Sequence, residues 1–190
     1  MSGEKRKNKS LFIALTSVLG SLAFVLSVTK ATHIPFPILP FLKFDPSEIP
    51  SVIAFLLLGT TASILVATIH FLGLVITGAV VGGLMKYLAV LSMILGLATG
   101  KRVTNGDKVS VILAIISRVV IMSIINYILV TIFMPNILEF SEKFLKSVSI
   151  TKNTLVDLLI YVSIFNTIHV IYSIIPAYII IKYLKHIVKR

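Results

Sequence analysis

The chain has 190 residues, of which 57% are apolar and only 13% are charged. Soluble domains carry about 25% charged residues, so this composition excludes an ordinary soluble globule. The apolar content equally excludes a disordered chain. Cysteine is absent, which excludes disulfide-stapled modules, thiolate zinc sites and cysteine nucleophiles. The composition therefore indicates an integral membrane protein, with a formal net charge of +11.

The first two apolar stretches set the number of membrane crossings. Residues 11–29 carry no charge and are long enough to cross a bilayer core of about 30 Å. Residues 49–100 have one charge in 52 positions and would be about 78 Å long as a single helix. Basic loops stay cytoplasmic, so the basic N-terminus and the basic loop at 101–108 should lie on the same side. Residues 49–100 must then cross an odd number of times, which predicts three short helices with breaks near Gly59 and Gly78.

The charges predict an orientation for the resulting all-α membrane domain of six helices. Segments on the side of the N-terminus hold eleven basic and two acidic residues, a net +9, whereas the opposite segments hold five of each. Both termini are therefore expected in the cytoplasm, and nucleic acid is not an expected partner. A retained first helix is favoured over a cleaved signal peptide, because its apolar run exceeds the usual length of about 7–15 residues. The predicted domain covers residues 1–190, with helices at about 11–29, 50–64, 66–80, 83–100, 109–134 and 155–184.

The sequence carries no recognisable catalytic or metal-binding motif. Its four histidines are scattered without the spacing of metal ligands, and neither a Walker A nor a G-x-S-x-G motif is present. No pair of carboxylates lies within a predicted helix, as a proton relay would need. We therefore expect neither an enzyme nor a metal site. A transporter of this sequence would need a partner that supplies the energy.

The loop between the first two helices, ATHIPFPILPFLKFDPSEIP at residues 31–50, carries five of the seven prolines. Proline fixes φ and lacks a backbone donor, so the loop cannot be a helix and is poorly suited to a sheet. The apolar side chains between the prolines must be buried or lie in the membrane interface. Two interpretations stay open. The loop packs on the helix ends, or it forms a lid over an outer cavity whose aromatic side chains suit a flat ligand.

Polar side chains inside the predicted helices are candidate sites, because burying them in hydrocarbon is costly. Arg118, Met122 and Asn126 share one face of the fifth helix. Arg118 sits deeper, and snorkelling or pairing with a backbone carbonyl is favoured over ligand contact for it. Asn166 and His169 belong to a polar and aromatic stripe on the last helix. Asn166 needs a polar partner, either a ligand or a neighbouring helix.

Three of these segments resemble one family. Residues 41–50, FLKFDPSEIP, are similar to the L-K-[FY]-D-x-S-[DE]-[IV]-P signature of the riboflavin-binding S components of energy-coupling-factor (ECF) vitamin transporters. Residues 165–169, FNTIH, are similar to the F-N-x-x-K element of that family, with His169 where lysine is usual. Lys86-Tyr87 resembles an Asn/Lys–aromatic pair at the corresponding position. A snorkelling lysine beside an interfacial tyrosine would explain the same two residues.

The resemblance implies a six-helix S component that captures riboflavin outside the cell membrane, with riboflavin as transported ligand and no cofactor. It also implies partners, namely a transmembrane coupling subunit and two ATPase subunits. The expected ligand-binding residues are Leu39, Phe41, Leu42, Lys43, Phe44, Asp45, Glu48, Lys86, Tyr87, Asn126, Asn166 and His169. In this interpretation the loop closes over the ligand, Asn126, Asn166 and His169 hydrogen-bond it, and Phe41, Leu42, Phe44 and Tyr87 bracket its ring.

The first helix carries small-x-x-x-small pairs, which let helices approach closely in lipid. The resemblance implies that they dock on the coupling subunit, and packing within the molecule is the alternative. The predicted docking residues are Thr16, Ser17, Gly20 and Ser21. For the whole protein, two alternatives remain besides a riboflavin S component. One is an S component for another vitamin or a flavin nucleotide, and the other is a membrane scaffold or assembly protein without a transport function.

Overall fold

The computed structural model describes residues 2–29, 32–104 and 106–188. Helices dominate it, because a helix satisfies its own backbone hydrogen bonds within hydrocarbon. The α-helices are α1 Ser2–Val28, α2 Ile49–Leu58, α3 Thr60–Ile76, α4 Val80–Thr104, α5 Asp107–Ile128, α6 Pro135–Leu145 and α7 Thr154–Val188. The other elements are the strands β1 Ile34–Pro35 and β2 Lys43–Phe44, a 3-10 turn at Pro46–Glu48 and a π-helical turn at Leu129–Phe133.

Within the described residues, four helices are long and apolar enough to cross a membrane, and the prediction of an all-α membrane fold is confirmed. The four segments are Lys9–Val28, Val80–Thr104, Asp107–Phe133 and Thr154–Tyr183. Two shorter apolar helices, Pro46–Leu58 and Thr60–Ile76, lie between the first and second of these segments. At 1.5 Å per residue, a helix over Thr60–Ile76 is about 25 Å long, slightly less than a typical hydrocarbon core.

The breaks between the short helices lie at the glycines, and they fall earlier than the predicted helix ends. Gly59 has a φ of 89°, which costs a residue with a side chain far more than glycine. Helix α2 therefore ends at Leu58 rather than at 64. Gly78, with a φ of 83°, likewise follows the end of α3 at Ile76 rather than at 80. Helix α4 begins at Val80, three residues before its predicted start.

Two glycines bring α4 and α5 into backbone contact. A Cβ on Gly96 would lie 2.4 Å from the Leu113 carbonyl oxygen, and a Cβ on Gly100 would lie 2.3 Å from the Ser110 Cα. The spacing is that of a GxxxG pair, which lets two membrane helices approach closely. This close packing fixes the position of α5, whose further turns carry Arg118 and Asn126.

The docking residues predicted on α1 divide between two faces of the helix. Thr16 and Gly20 are buried, and a Cβ on Gly20 would lie 2.8 Å from Ile69 of α3. These two residues therefore pack within the bundle, which was the alternative to docking. Ser17 and Ser21 are exposed on another face of α1.

Helix α6 lies in a segment for which no helix was predicted. Leu145 is buried, whereas Phe140 is exposed for nearly half of its surface, so the helix has one face on the bundle. The loop after α6 is tied to α7 by the Asp157 carboxylate. That carboxylate accepts hydrogen bonds from the Ser149 hydroxyl at 2.6 Å and from the Thr151 backbone N–H at 2.9 Å.

The proline-rich loop is more regular than its sequence suggests. Strands β1 and β2 pair antiparallel, with Ile34 opposite Phe44 and Pro35 opposite Lys43, and the Phe36 N–H donates to the Leu42 carbonyl at 2.8 Å. The expectation that prolines make this segment poorly suited to a sheet was therefore wrong for these residues. Each strand is only two residues long, which leaves the other prolines outside the pairing.

Candidate functional site

A cavity of about 550 Å³ lies beneath the proline-rich loop, enclosed by the ends of α1, α3, α4, α5, α6 and α7. It is at the opposite end of the bundle from the basic Lys101 and Arg102, which close α4. Nine of the predicted ligand-binding residues line the cavity, so the structure brings the loop and three separate helices to one place. These nine are Phe41, Leu42, Lys43, Asp45, Glu48, Lys86, Asn126, Asn166 and His169.

Asp45 fixes the end of the loop and the start of the next helix. Its carboxylate accepts a hydrogen bond from the Ser47 backbone N–H at 2.9 Å, the capping arrangement that begins a helical turn, and Pro46 occupies the first position of that turn. Burial alone would raise the pKa of the Asp45 carboxyl. The charge and hydrogen bond of Lys86, with the hydrogen bonds of Ser47, outweigh burial and hold that pKa below its ordinary value of 3.8.

Lys86 of α4 joins three parts of the molecule. Its ammonium forms a salt bridge with Asp45 and donates hydrogen bonds to the Ser47 hydroxyl at 3.1 Å and to the Ser27 hydroxyl of α1 at 3.0 Å. The ammonium therefore points into the bundle and holds the loop against α1 and α4. A snorkelling lysine directed to the membrane surface does not describe this geometry.

Glu48 and Arg118 form a buried ion pair at the floor of the cavity. The Arg118 guanidinium donates from Nη1 to Glu48 Oε2 at 2.5 Å and from Nη2 to Oε1 at 2.9 Å, and both residues are 1% exposed. The Ser173 hydroxyl donates to the same carboxylate at 3.3 Å. The expectation that Arg118 snorkels or pairs with a backbone carbonyl was wrong, because its guanidinium pairs with the Glu48 carboxylate at the end of the loop.

The orientation of the Asn166 amide follows from Arg118. The Arg118 Nε–H donates to Asn166 Oδ1 at 2.9 Å, and a guanidinium has donors only, so the amide oxygen must face it. Asn166 Nδ2 donates to the Val162 carbonyl of its own helix at 2.9 Å. An amide nitrogen carries two hydrogens, so Asn166 keeps one donor for a molecule in the cavity.

His169 has one nitrogen near acceptors and the other without a partner. Its Nε2 lies 3.4 Å from the Asp45 carbonyl oxygen and 3.6 Å from Glu48 Oε1. Both neighbours are oxygen acceptors, so in the neutral imidazole the hydrogen belongs on Nε2 and Nδ1 is an acceptor. Among the described residues Nδ1 has no hydrogen-bond partner, although His169 is only 2% exposed.

Asn126 reaches the cavity from α5, and among the described residues its side chain hydrogen-bonds only to its own helix. Its Nδ2 donates to the Met122 carbonyl at 2.8 Å, which leaves the amide oxygen and a second N–H for other partners. The π-helical turn begins three residues later, and Leu129 and Val130 of that turn also line the cavity. Such turns insert an extra residue into a helix and are frequent at functional sites.

Three predicted residues lie outside the cavity wall. Leu39 is fully buried in the apolar cluster between the loop, α6 and α7. Phe44 neighbours Lys43 on β2, and successive strand residues point to opposite faces, so its ring packs on Phe165 at 4.7 Å between centroids. The Tyr87 ring stacks on Phe71 of α3 at 5.2 Å, because adjacent helix residues point about 100° apart.

Sequence reasoning did not assign ligand contact to several residues that line the cavity. Phe165 of α7 supplies an aromatic wall in place of Phe44, and Ser27 and His33 flank the cavity near the end of α1. The spacing of Arg118 and Asn126 on one face of α5 indicated that both could reach one site. Among the residues that the structure describes, no group of three or more histidine or carboxylate side chains could hold a metal ion.

Comparisons with known proteins agree with this architecture. A solved structure of the S component of a bacterial ECF transporter superposes with a TM-score of 0.69 and 26% identity, over 96% of this chain and 99% of that one. The riboflavin transporter FmnP of Bacillus subtilis (strain 168) is 35% identical over 127 residues, 62% of this chain and 65% of FmnP. The match therefore spans slightly less than two thirds of FmnP.

A second relative and a family match cover more of the sequence. The riboflavin transporter RibU of Staphylococcus aureus (strain TCH60) is 33% identical over 135 residues, which is 67% of this chain and 70% of RibU. Residues 11–181 match the family described as ECF transporter, substrate-specific component. That match includes the loop and every helix that lines the cavity. The chain therefore belongs to the family of substrate-specific (S) components of ECF transporters.

Proposed function

We propose that this S component binds riboflavin in the cavity beneath the proline-rich loop and is the capture subunit of a riboflavin importer. The observation that carries the proposal is the convergence of Asn126, Asn166 and His169 on one cavity of about 550 Å³, within the usual range of about 300–1,000 Å³ for small-molecule sites. Two relatives at 35% and 33% identity are riboflavin transporters. Family membership sets aside the scaffold or assembly alternative.

The polar wall of the cavity suits the pyrimidine edge of a flavin ring. That edge presents one N–H donor with one carbonyl acceptor on each side of it. The free N–H of Asn166 would donate to a carbonyl, and His169 Nδ1 would accept from the ring N–H. In this arrangement His169 acts as a neutral acceptor, where the usual lysine of the family would be a charged donor.

The apolar walls would bracket the flat ring system. Phe41 and Leu42 of the loop and Phe165 of α7 all line the cavity. Asn126 Nδ2 donates to the Met122 carbonyl, and the rest of its amide would hydrogen-bond a ribityl hydroxyl or the ring edge. A site that pairs buried polar groups with a ligand rejects analogues that lack the matching groups.

The positive-inside rule supports an orientation in which both termini are cytoplasmic and the cavity opens outside the cell. The two short helices α2 and α3 would then complete six crossings of the plasma membrane. The sequence has no nucleotide-binding motif, so the energy for release would come from ATPase subunits through a coupling subunit. Ser17 and Ser21, exposed on α1, remain the candidate docking residues for that subunit.

Fluorescence of riboflavin tests the proposal directly. Flavin fluorescence should be quenched when riboflavin binds among the aromatic and polar side chains of the cavity. N3-methylriboflavin should bind more weakly, by roughly tenfold, because it cannot donate to His169 Nδ1. His169→Leu should weaken riboflavin and abolish the preference over the methylated analogue. If the protein quenches the fluorescence of neither riboflavin nor N3-methylriboflavin, the proposal is overturned. If His169→Leu still prefers riboflavin over the methylated analogue, the role of His169 is overturned.

A flavin nucleotide is the second candidate, and Lys43 favours it. Three cations (Lys43, Lys86 and Arg118) and two carboxylates (Asp45 and Glu48) line the cavity. Among the described residues that line this cavity, ion pairs join Lys86 to Asp45 and Arg118 to Glu48, whereas Lys43 is exposed and takes part in neither pair. A phosphate on the ribityl chain would form an ion pair with the Lys43 ammonium. Competition between riboflavin and its 5′-phosphate, in the wild type and in Lys43→Gln, distinguishes the two ligands.

A further inference from the structure

A second cavity, of about 600 Å³, lies at the other end of the bundle. It is formed where α2 meets α3, where α4 ends, where α5 begins and beside the last turns of α7. The flavin cavity is lined by the loop and the opposite helix ends, and the two cavities share no lining residue. A molecule in the second cavity would therefore not compete with riboflavin for the same side chains.

The rim of the second cavity is basic, and polar contacts hold part of it in position. Among the described residues, it carries Lys101 and Arg102 of α4 and Lys182 of α7, and one carboxylate, that of Asp107. Asp107 forms a salt bridge with Lys101 and accepts a hydrogen bond from the Tyr178 hydroxyl at 3.1 Å. This network links α4, α5 and α7 and holds the rim in shape. In the part of the chain that the structure describes, the salt bridges leave Arg102 and Lys182 without a carboxylate partner.

The inner wall of the same cavity is apolar. Phe55 of α2, Ala98 of α4 and Ile181 of α7 line it and are each less than 10% exposed. A free inorganic anion would match the rim but would leave this wall in contact with water. A molecule that carries a phosphate next to hydrocarbon would match both parts, because cations pair with phosphate and apolar surface favours acyl or glycerol carbons.

We propose that the second cavity binds the phosphate headgroup of an anionic phospholipid of the cytoplasmic leaflet. The phosphate would lie between Arg102 and Lys182, and the glycerol and upper acyl carbons would cover the apolar wall. Basic pockets between membrane helices on the cytoplasmic side are known to bind anionic headgroups. The assignment to the cytoplasmic leaflet rests on the orientation proposed above, whereas headgroup binding itself does not.

Native mass spectrometry of the purified full chain tests the proposal. The probe is phosphatidylglycerol titrated against the protein in neutral detergent, with phosphatidylcholine, whose choline cation balances its phosphate, as the zwitterionic counterpart of zero net charge. The test variant is Arg102→Gln/Lys182→Gln. The control is Lys9→Gln/Lys108→Gln, which removes the same charge at the same end from two exposed residues outside the cavity. Equal melting temperatures of all three proteins verify that the fold is intact, whether or not they bind riboflavin.

The expected result is one tightly retained phosphatidylglycerol on the wild type, with phosphatidylcholine held at least tenfold more weakly. The test variant should lose roughly tenfold or more in phosphatidylglycerol affinity, because each basic residue near a headgroup adds substantially to binding. The control variant should change by less than about twofold. Equal losses in both variants would overturn the proposal, because they would reflect net charge alone. Release of the lipid by millimolar inorganic phosphate would overturn the assignment to a phospholipid, because the rim would then be a site for free phosphate.

Discussion

Glu48 at the end of the proline-rich loop and Arg118 in the middle of α5 are 70 residues apart in the chain and form a two-pronged ion pair. Both side chains are almost completely buried. The pair ties the loop that covers the cavity to the helix that carries Asn126. Arg118 also orients the Asn166 amide, so the pair arranges the polar wall of the site.

Removing one partner of this ion pair should strongly destabilise the protein. We expect Arg118→Met and Glu48→Gln each to lower the free energy of unfolding by about 3–5 kcal/mol, because each leaves a buried charge without its partner. The double variant should lose clearly less than the sum of the two. Denaturant titration of the four proteins in detergent measures the coupling.

An exposed ion pair supplies the control. Lys146 and Glu142 are 3.3 Å apart on α6 and remain largely in contact with solvent. Lys146→Met should change the free energy of unfolding by less than about 1 kcal/mol. A strictly additive double variant, or a Lys146→Met effect as large as that of Arg118→Met, would contradict the central role of the buried pair.

The two cavity asparagines should respond differently to substitution. Asn126 bonds only to its own helix, so Asn126→Leu should weaken riboflavin binding by up to about tenfold without lowering the melting temperature of the ligand-free protein. Asn166→Leu should weaken binding and also destabilise the protein by about 1–3 kcal/mol, because Arg118 Nε–H then loses its acceptor.

Fluorescence titration and thermal unfolding without flavin measure the two effects on the asparagine variants separately. Equal melting temperatures for the two variants would show that the Arg118–Asn166 contact contributes nothing to stability. An unchanged affinity in both would remove the asparagines from the proposed flavin site.

The glycine contact between α4 and α5 should tolerate no side chain. Gly96→Ala or Gly100→Ala places a Cβ within 2.4 Å of backbone atoms of α5, which forces the helices apart and should cost about 1–3 kcal/mol of stability. The shift should also weaken riboflavin binding, because α5 carries Arg118 and Asn126. Thermal unfolding and flavin titration measure both effects.

Gly82 is the matched control on the same helix. A Cβ at Gly82 meets no described atom within 4 Å, so Gly82→Ala should leave stability unchanged or raise it by up to about 1 kcal/mol. Similar losses at positions 82, 96 and 100 would point to helix propensity or to the membrane environment rather than to the close approach of α4 and α5.

Much of the helical framework could be predicted from the sequence, because hydropathy and glycine act locally. Breaks near Gly59 and Gly78 were expected from the backbone freedom of glycine, although the predicted helices ran on to 64 and 80. The candidate site was less predictable, since its polar contacts join distant segments. Nothing near Arg118 in sequence indicates that Glu48 will reach it, and nothing near Lys86 indicates Asp45. Whether Thr16 or Ser17 of α1 faces the bundle likewise depends on how α3 packs, which a small-residue spacing does not specify.

The contact between Asp45 and Lys86 should make the stability of the loop depend on pH in the acid range. The pKa of Asp45 is lowered in the folded protein from its ordinary value of 3.8. Its contribution to stability is therefore present above pH 3.8 and is lost as the pH falls through the lower pKa of the folded state. Asp45→Asn should melt at a lower temperature than the wild type at pH 7, and the difference should shrink below pH 3.8 as the wild-type carboxyl takes up a proton. Melting temperatures of the wild type and Asp45→Asn are compared at each pH between pH 3 and pH 7. Their difference removes the effect of the other carboxylates, which both proteins share. A difference that stays constant over this range would mean that the ionised carboxylate adds nothing beyond the hydrogen bonds of its side chain.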